Sequence, residues 1–341
     1  MKATLLLSDK TRFQGEAFGS PGVAIGHICC HDGSYMPPLG DPAYANQLLL
    51  LNTPLVGVYG VNTEHCEAGK PFLSGLIVND VCDTPSHWRS AETLDYYLRR
   101  HYVTAIKGID TQALQTHLNE HGAMRAAICA TPGFSGWQAL HAKLNDHTMR
   151  GAYPGAVKHA TPYEAHGPSR GHIGVVDLGS SRTLVRQLCL QGFDVKLLPP
   201  LGNWAADNYD AIVISHGARE DGHDVGLIDK IRQCQKPILA VGNGFSLLCA
   251  ALDLPLEAIG LGVHSDDFAT LDVSAGRMYG NAHNHRLSLP ECLLADRSDL
   301  IVTHRTSDGL CAGLQHKDKP IWGVQFTGYI PPAWVAATDK S

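Results

Sequence analysis

The second half of the chain alternates apolar runs with amphipathic segments, and turns rich in glycine separate them. Apolar runs end at glycine in HIGVVDLG (172–179), YDAIVISHG (209–217) and KPILAVGNG (236–244). Apolar residues recur at helical spacing in SSRTLVRQLCLQG (180–192) and GLIDKIRQCQ (226–235). Buried strands that alternate with helices are typical of a doubly wound, mostly parallel sheet with both faces covered.

The first half mixes short strands with helices. TLLLSD (4–9) and RFQGEAFG (12–19) predict paired strands, and QLLLLNTPLVGVYGVN (47–62) predicts a strand, a turn at the proline and a second strand. SAETLDYYLRRHYVTAIKGI (90–109) predicts a helix that begins at Ser90 or Thr93. DTQALQTHLNEHG (110–122) predicts another, capped by Asp110 or Thr111 and ended by Gly122. Short polar residues favour a helix start, and glycine favours a helix end.

The chain length favours two domains. GAYPGAVKHATPYEAHGPSRG (151–171) is rich in glycine, proline and alanine and shows no periodicity, so we expect a linker there. The expected domains are then residues 1–150 and 172–341. Near the end, Pro331-Pro332 is expected to hinder the start of a helix.

Composition excludes several classes of function. The formal net charge of −6 gives no basic field for nucleic acid or for a membrane surface. No apolar run approaches the roughly 18 residues of a membrane helix, and MKATLLLSDKTRF at the start is too short in apolar residues for a signal peptide. The ten cysteines form no CxxC pair, so we expect reduced thiols, a cytoplasmic protein and no cofactor.

Histidine is abundant, with 19 residues, and raises the question of a metal site. The closest group is His283-Asn284-His285, with His264 upstream. In a strand the side chains of 283 and 285 share one face. A third ligand at suitable spacing is missing, so surface or hydrogen-bonded histidines are the expected alternative and no metal is predicted.

ILAVGNGFSLLCAALDL (238–254) predicts a buried strand, a sharp glycine turn and an apolar helix. Many enzymes carry a nucleophile at the tip of such a turn, and here that position is Gly242. In doubly wound sheets, binding and chemistry occur where the strands end. These loops are therefore the expected site, although they carry few reactive groups.

Two long stretches resemble a known family. GDPAYANQLLLLNTPLVGVYGVN (40–62) and AIKGIDTQALQTHLNEHGAMRAAI (105–128) resemble the amino-terminal domain of the carbamoyl-phosphate synthase small subunit. From GVVDLGSSRTLVRQL (174–188) to GVQF (323–326) the chain resembles the class I glutamine amidotransferase domain of that subunit. The resemblance implies an α/β protein: a small-subunit-specific β/α domain followed by a doubly wound, mostly parallel amidotransferase domain.

The family's chemistry implies a catalytic triad. A cysteine thiolate at the turn attacks the side-chain amide of glutamine, a histidine transfers the proton, and a glutamate orients the histidine. The ammonia passes to a large subunit that makes carbamoyl phosphate from bicarbonate and ATP. The matching positions here are Gly242, Thr327 and Tyr329, so no catalytic residue is expected.

Further replacements fall where the family binds glutamine. HGAR (216–219) stands where the family has Asn-Gly-Pro-Gly, and HNHR (283–286) where it has Gln-Asn-His-Gly. A serine of the first domain is replaced by His31. The candidate contacts of a remodelled pocket are His31, His216, Gly217, Arg219, Asn284, His285 and Arg286.

Three hypotheses follow. In the first, the chain is a non-catalytic subunit that binds the synthase large subunit, and the complex uses free ammonia in pyrimidine or arginine biosynthesis. In the second, it is a stand-alone binding or regulatory paralogue whose pocket takes an anion. In the third, it hydrolyses glutamine with an atypical site. Cys249 is a weak substitute nucleophile, because it lies about two helical turns past the glycine and is expected in the core.

Overall fold

The computed structural model describes residues 1–62, 70–145, 153, 156–202, 204, 206–218 and 224–340. The chain divides into two compact units, Met1–Ala152 and Tyr153–Ser341. Within the segment expected as a linker, Thr161–Tyr163 forms a strand that pairs with Asp194–Leu198. This part of the segment is therefore built into the second unit.

The first unit contains seven described strands that close into a barrel. They are β1 (Lys2–Leu7), β2 (Arg12–Gly19), β3 (Gly22–His31), β4 (Gln47–Leu51), β5 (Gly75–Val78), β6 (Thr104–Lys107) and β7 (Arg125–Ala130). The order around the barrel is β1-β2-β6-β5-β4-β3-β7. The antiparallel pairing of β1 with β2 confirms the hairpin predicted at the start of the chain.

Four helices accompany the barrel. They are α1 (Met36–Gly40), α2 (Leu94–Arg100), α3 (Thr111–His121) and α4 (Trp137–Leu144). The predicted caps are confirmed: the Thr93 side chain accepts a hydrogen bond from the Tyr96 amide, and Asp110 accepts one from the Ala113 amide. Gly122 ends α3 with a φ of 87°, a conformation that glycine adopts without steric cost.

The second strand predicted within residues 47–62 is wrong. After β4, only Val56 and Val61 form isolated bridges, to Val81 and Glu92. Gly57 and Gly60 both adopt positive φ, and the Gly60 amide donates to the Gly57 carbonyl at 2.9 Å. The glycines turn the chain where the apolar alternation alone favoured a strand.

Eleven described strands form one sheet in the second unit. They are β8 (Thr161–Tyr163), β9 (His172–Val176), β10 (Asp194–Leu198), β11 (Ala211–Ile214), β12 (Ile238–Val241), β13 (Glu257–Asp272), β14 (Arg277–Pro290), β15 (Leu300–Thr306), β16 (Leu310–His316), β17 (Ile321–Val324) and β18 (Phe326–Thr327). Their order is β18-β14-β13-β15-β16-β17-β12-β11-β9-β10-β8.

The parallel part of this sheet is smaller than predicted. Strands β10, β9, β11, β12 and β17 run parallel, as expected for an α/β fold. The remaining pairings are antiparallel and include the long β13–β14 hairpin. The expectation of a mostly parallel sheet is therefore wrong for the sheet as a whole. Antiparallel strands, which need no crossover helices between them, extend the sheet beyond its parallel part.

The described residues of the second unit form four α-helices: α5 (Arg182–Leu190), α6 (Val225–Gln233), α7 (Asn243–Ala251) and α8 (Pro332–Thr338). The expectation that Pro331-Pro332 hinders a helix is wrong, since Pro332 is the first residue of α8. Proline suits this position because its missing amide hydrogen has no partner in the first helical turn.

Apolar side chains cover both faces of the parallel strands. In β11, Ile212 and Ile214 pack in one core cluster, while Ala211 and Val213 pack in the other. This alternation follows the two-residue period of a strand. Among the described residues, no helix is long and apolar enough to cross a membrane.

We predict that Trp334→Ala lowers the free energy of unfolding of the second unit by about 3–5 kcal/mol. The Trp334 side chain is fully buried, and its ring lies 6.0 Å from that of Phe193 in an edge-to-face contact. Urea denaturation of the full chain measures the change. The matched control is Trp88→Ala, which removes an exposed ring of the first unit. Equal effects of the two substitutions would contradict the prediction.

Candidate functional site

The turn between β12 and α7 has the geometry of a nucleophile mount. Gly242 adopts φ 57° and ψ −121°, and its amide donates to the Val324 carbonyl at 2.9 Å. Positive φ is unfavourable for a residue with a Cβ atom, whereas glycine adopts it freely. The turn therefore persists with a residue that brings no reactive atom.

His216 lies directly beside this turn. A Cβ atom added at Gly242 would stand 2.6 Å from the His216 Cβ, closer than two carbons approach without displacement. The His216 side chain is buried, and its Nε2 accepts the Ser181 amide at 3.0 Å. The space that a nucleophile would enter is thus held by the neighbouring loop.

The strand-end loops around the turn are in close backbone contact. A Cβ atom added at Gly217 would lie 2.0 Å from the Leu178 carbonyl oxygen. One added at Gly244 would lie 2.4 Å from the Ile214 carbonyl oxygen. The Asn243 side-chain amide donates to the Gly217 carbonyl. These contacts leave room only for glycine at 217 and 244.

Asp177 holds the first of these loops, and sequence reasoning did not single it out. Its carboxylate accepts the amides of Gly179 at 3.0 Å and Ser180 at 2.7 Å, and also the Val157 amide at 2.8 Å. The signal was present in an acidic residue at the end of a buried strand, where it can accept the amides of the following turn.

The other two positions expected for the triad lie in β18 and shortly after it. Thr327 is in β18 and pairs with Ala282 of β14, while the Tyr329 ring packs 4.9 Å from the ring of His304. Burial raises the pKa of Tyr329. Neither side chain supplies the imidazole base or the carboxylate that the family's chemistry uses.

Two buried histidines stand beside β18. His283 Nδ1 lies 2.9 Å from His285 Nε2, and His283 Nε2 lies 3.0 Å from the Thr270 hydroxyl. The rings of Phe268 and Phe326 pack 5.1 and 5.4 Å from His283. The prediction that residues 283 and 285 share one face is confirmed. Thr270 is a partner that sequence analysis missed.

Burial keeps both of these imidazoles neutral. It lowers the pKa of His283 to about 4 and the pKa of His285 well below its usual range. Among the described residues, no group of three or more histidine, cysteine, aspartate or glutamate side chains is placed to hold a metal ion.

The remaining predicted pocket residues do not all converge. Asn284 points away from its two neighbours, and its Oδ1 lies 2.6 Å from His264 Nδ1. Arg286 is half-buried, and its Cγ would be 2.8 Å from a Cβ at Gly262. His31 is buried in the first unit, where its Nδ1 lies 2.9 Å from the Tyr44 hydroxyl. Arg219 lies outside the described residues. Of the described candidates in the second unit, His216 and Gly217 lie at the turn itself.

Two protein families match this chain, one in each unit. The family "Carbamoyl-phosphate synthase small chain, CPSase domain" matches residues 5–128, and "Glutamine amidotransferase class-I" matches residues 174–326. The carbamoyl phosphate synthase small chain of Nitratidesulfovibrio vulgaris (strain Hildenborough) is 33% identical, over 95% of this chain and 92% of its own length.

Two further small chains are similar over nearly their full length. That of Archaeoglobus fulgidus is 30% identical, over 96% of this chain and 93% of its own. The pyrimidine-specific small chain of Bacillus subtilis (strain 168) is 29% identical, over 96% of this chain and 90% of its own. The similarity thus extends across both units.

We predict that Gly242→Ala destabilises the second unit by about 1–3 kcal/mol more than Gly309→Ala. Both glycines have positive φ, 57° and 83°, so both substitutions carry the same kind of backbone cost. An added Cβ meets the His216 Cβ at Gly242, and nothing within 4 Å at Gly309. Urea denaturation of the two variants measures the difference.

The same clash predicts a coupling between positions 216 and 242. In a His216→Gly background, Gly242→Ala should lose most of its additional cost, since the opposing Cβ is gone. In a His216→Ala background the cost should remain. Two outcomes would contradict the prediction: equal stability of the two single glycine variants, or no coupling in the double variants. Either would show that the loop at His216 moves away from the added Cβ at little cost.

We predict that the second unit loses stability as pH falls from about 6.5 to 4, in part through His283. The unfolded imidazole takes up its proton near pH 6.5, whereas the folded one stays neutral until its pKa of about 4. Over this window the contribution is on the order of 3 kcal/mol. Denaturation of His283→Phe should show a shallower dependence on pH.

The control for this prediction is Phe268→Leu. It alters packing against the same ring without removing a titrating group, so its effect should be similar at pH 7 and pH 5. A His283→Phe variant that keeps the full acid sensitivity of the parent chain would overturn the assignment.

Proposed function

Because this chain belongs to the carbamoyl-phosphate synthase small-chain family, we propose that it is a non-catalytic small subunit that supports an ammonia-using large subunit. The single observation that carries the proposal is the nucleophile position, where Gly242 leaves only a hydrogen beside the His216 Cβ. Glutamine hydrolysis through an acyl-enzyme requires a nucleophile at that point.

No described thiol near the turn is suited to replace the missing nucleophile. Cys249 lies in α7 with no exposed surface, and burial raises its pKa well above the usual thiol range. A buried thiol far from a base stays protonated and unreactive. Ser246, which carries a hydroxyl in the same helix, is also buried.

The pair of His283 and His285 gives little support for a reaction in which a histidine activates water to attack glutamine. His283 and His285 are neutral, but two of their four ring nitrogens face each other, and a third faces Thr270. A general base needs a ring nitrogen within reach of the proton it accepts. The pair is better explained as part of the packing around β18.

The partner and the pathway are proposed from the family. Relatives matched over at least nine-tenths of their length are small chains of carbamoyl phosphate synthase, one of them pyrimidine-specific. A chain with both units intact and no nucleophile is suited to support a large subunit in pyrimidine or arginine biosynthesis, in the cytoplasm. The first unit, matched over residues 5–128, is the proposed main contact.

We predict that the chain co-purifies with the large subunit encoded in the same genome. The complex should form carbamoyl phosphate from ammonium, bicarbonate and ATP. With glutamine as nitrogen donor the rate should be at least ~1000-fold lower, because loss of a nucleophile removes most of an enzyme's rate. Activity with ammonium in the same preparation shows that the large subunit is functional.

Cys249→Ala is the matched control for an atypical site. It should leave both the glutamine and the ammonium rates unchanged. Glutamate release at an appreciable rate would contradict the non-catalytic assignment, and its loss in this variant would locate the nucleophile in α7. Failure to bind any large subunit would overturn the proposed role and favour a stand-alone paralogue.

A further inference from the structure

A second candidate binding site lies in the first unit. The loop of residues 57–62 and the loop of residues 86–92 pack side by side. The Val61 amide donates to the Glu92 carbonyl at 2.8 Å, and the Ser86 amide donates to the Val58 carbonyl at 3.2 Å. A Cβ at Gly60 would overlap the Ser90 side chain at 1.9 Å. The two loops are therefore held in one arrangement.

These loops and the start of α1 enclose a cavity of about 290 Å³. Its walls include Met36, Pro37, Tyr59, His87 and Arg89. The buried Tyr35 hydroxyl donates to the carbonyl of Gly60, a lining residue, at 2.6 Å, which holds this part of the wall in place. The volume is at the small end of ligand pockets and suits one ring with one substituent.

Aromatic rings crowd the rim of this cavity. The Tyr59 ring meets the His87 ring edge-to-face at 5.6 Å, and the Trp88 ring lies 6.0 Å from that of His87. The side chains of Tyr59 and Trp88 are 63% and 80% exposed. Exposed rings of this size forgo the free energy that burial of their apolar surface would give. Clustered at a cavity, they offer stacking surface to a planar molecule.

The polar groups of the cavity indicate the charge of that molecule. Among the described lining residues, Arg89 and His87 are basic and none is acidic, although the whole chain has a net charge of −6. Arg89 forms no ion pair with a described residue, and its guanidinium stacks 4.4 Å above the Trp88 ring. An arginine held on a ring keeps its donors free for a carboxylate or phosphate.

We propose that this cavity binds a planar aromatic anion, with its ring against Tyr59 and His87 and its carboxylate or phosphate on Arg89. The proposal is independent of the proposed function, because neither glutamine nor a large subunit enters it. The non-catalytic role could fail while this site stands, and the reverse is equally true.

Ligand-observed NMR titrations of the full chain test the proposal with four probes. Benzoate and phenyl phosphate carry both the ring and the anion and separate the two sources of negative charge. Benzamide has the ring without the charge, and acetate has the charge without the ring. We expect binding of benzoate or phenyl phosphate near 1 mM or tighter, and at least about tenfold weaker binding of benzamide and acetate.

Two variants locate the site. Arg89→Gln should weaken binding of the aromatic anion about tenfold or more, since it removes the charge-assisted hydrogen bonds. The matched control is Arg99→Gln, which removes an exposed arginine of α2 and should leave binding unchanged. Binding of benzamide as tight as that of benzoate, equal effects of the two variants, or no binding by either aromatic anion would overturn the proposal.

Discussion

The close approach of three strand-end loops to one another is the constraint on which the second unit's site depends. The backbones after β9, β11 and β12 approach so nearly that glycine is required at 217, 242 and 244. Parallel strands end at one edge, and the first turn of the following helix must fit between its neighbours. A side chain added in one loop must therefore fit against the adjoining loop.

If the chain is non-catalytic, as proposed above, this constraint explains why the turn is retained. The residue at the tip has a left-handed backbone conformation that costs on the order of 1–3 kcal/mol when a Cβ is present. An enzyme accepts that cost in exchange for an exposed nucleophile. A chain without catalysis is more stable with Gly242, while β12 and α7 remain because their side chains are buried in the core.

Much of the fold was predictable from local signals. Caps such as Thr93 and Asp110 and the apolar runs of the parallel strands carry their information within a few residues. The β13–β14 hairpin was not assigned, because glycines and register shifts break its alternation. In the site, the positions expected for the triad, Gly242, Thr327 and Tyr329, were assigned by resemblance alone. The contact of His216 with Gly242 could not, since it depends on how closely two loops, distant in sequence, approach.

Aromatic rings pack the region around β18, where the resemblance places the histidine and the glutamate of the triad. A working triad maintains an ionised glutamate and a titratable histidine, and both need polar surroundings. Here Phe326, Tyr329 and His304 contact one another through their rings, and His283 is buried against Phe326. Burial also lowers the pKa of His304, which favours its neutral form. Restoring a charged triad would therefore require repacking this aromatic cluster as well as replacing the three residues, because each new charge would otherwise be desolvated without a partner.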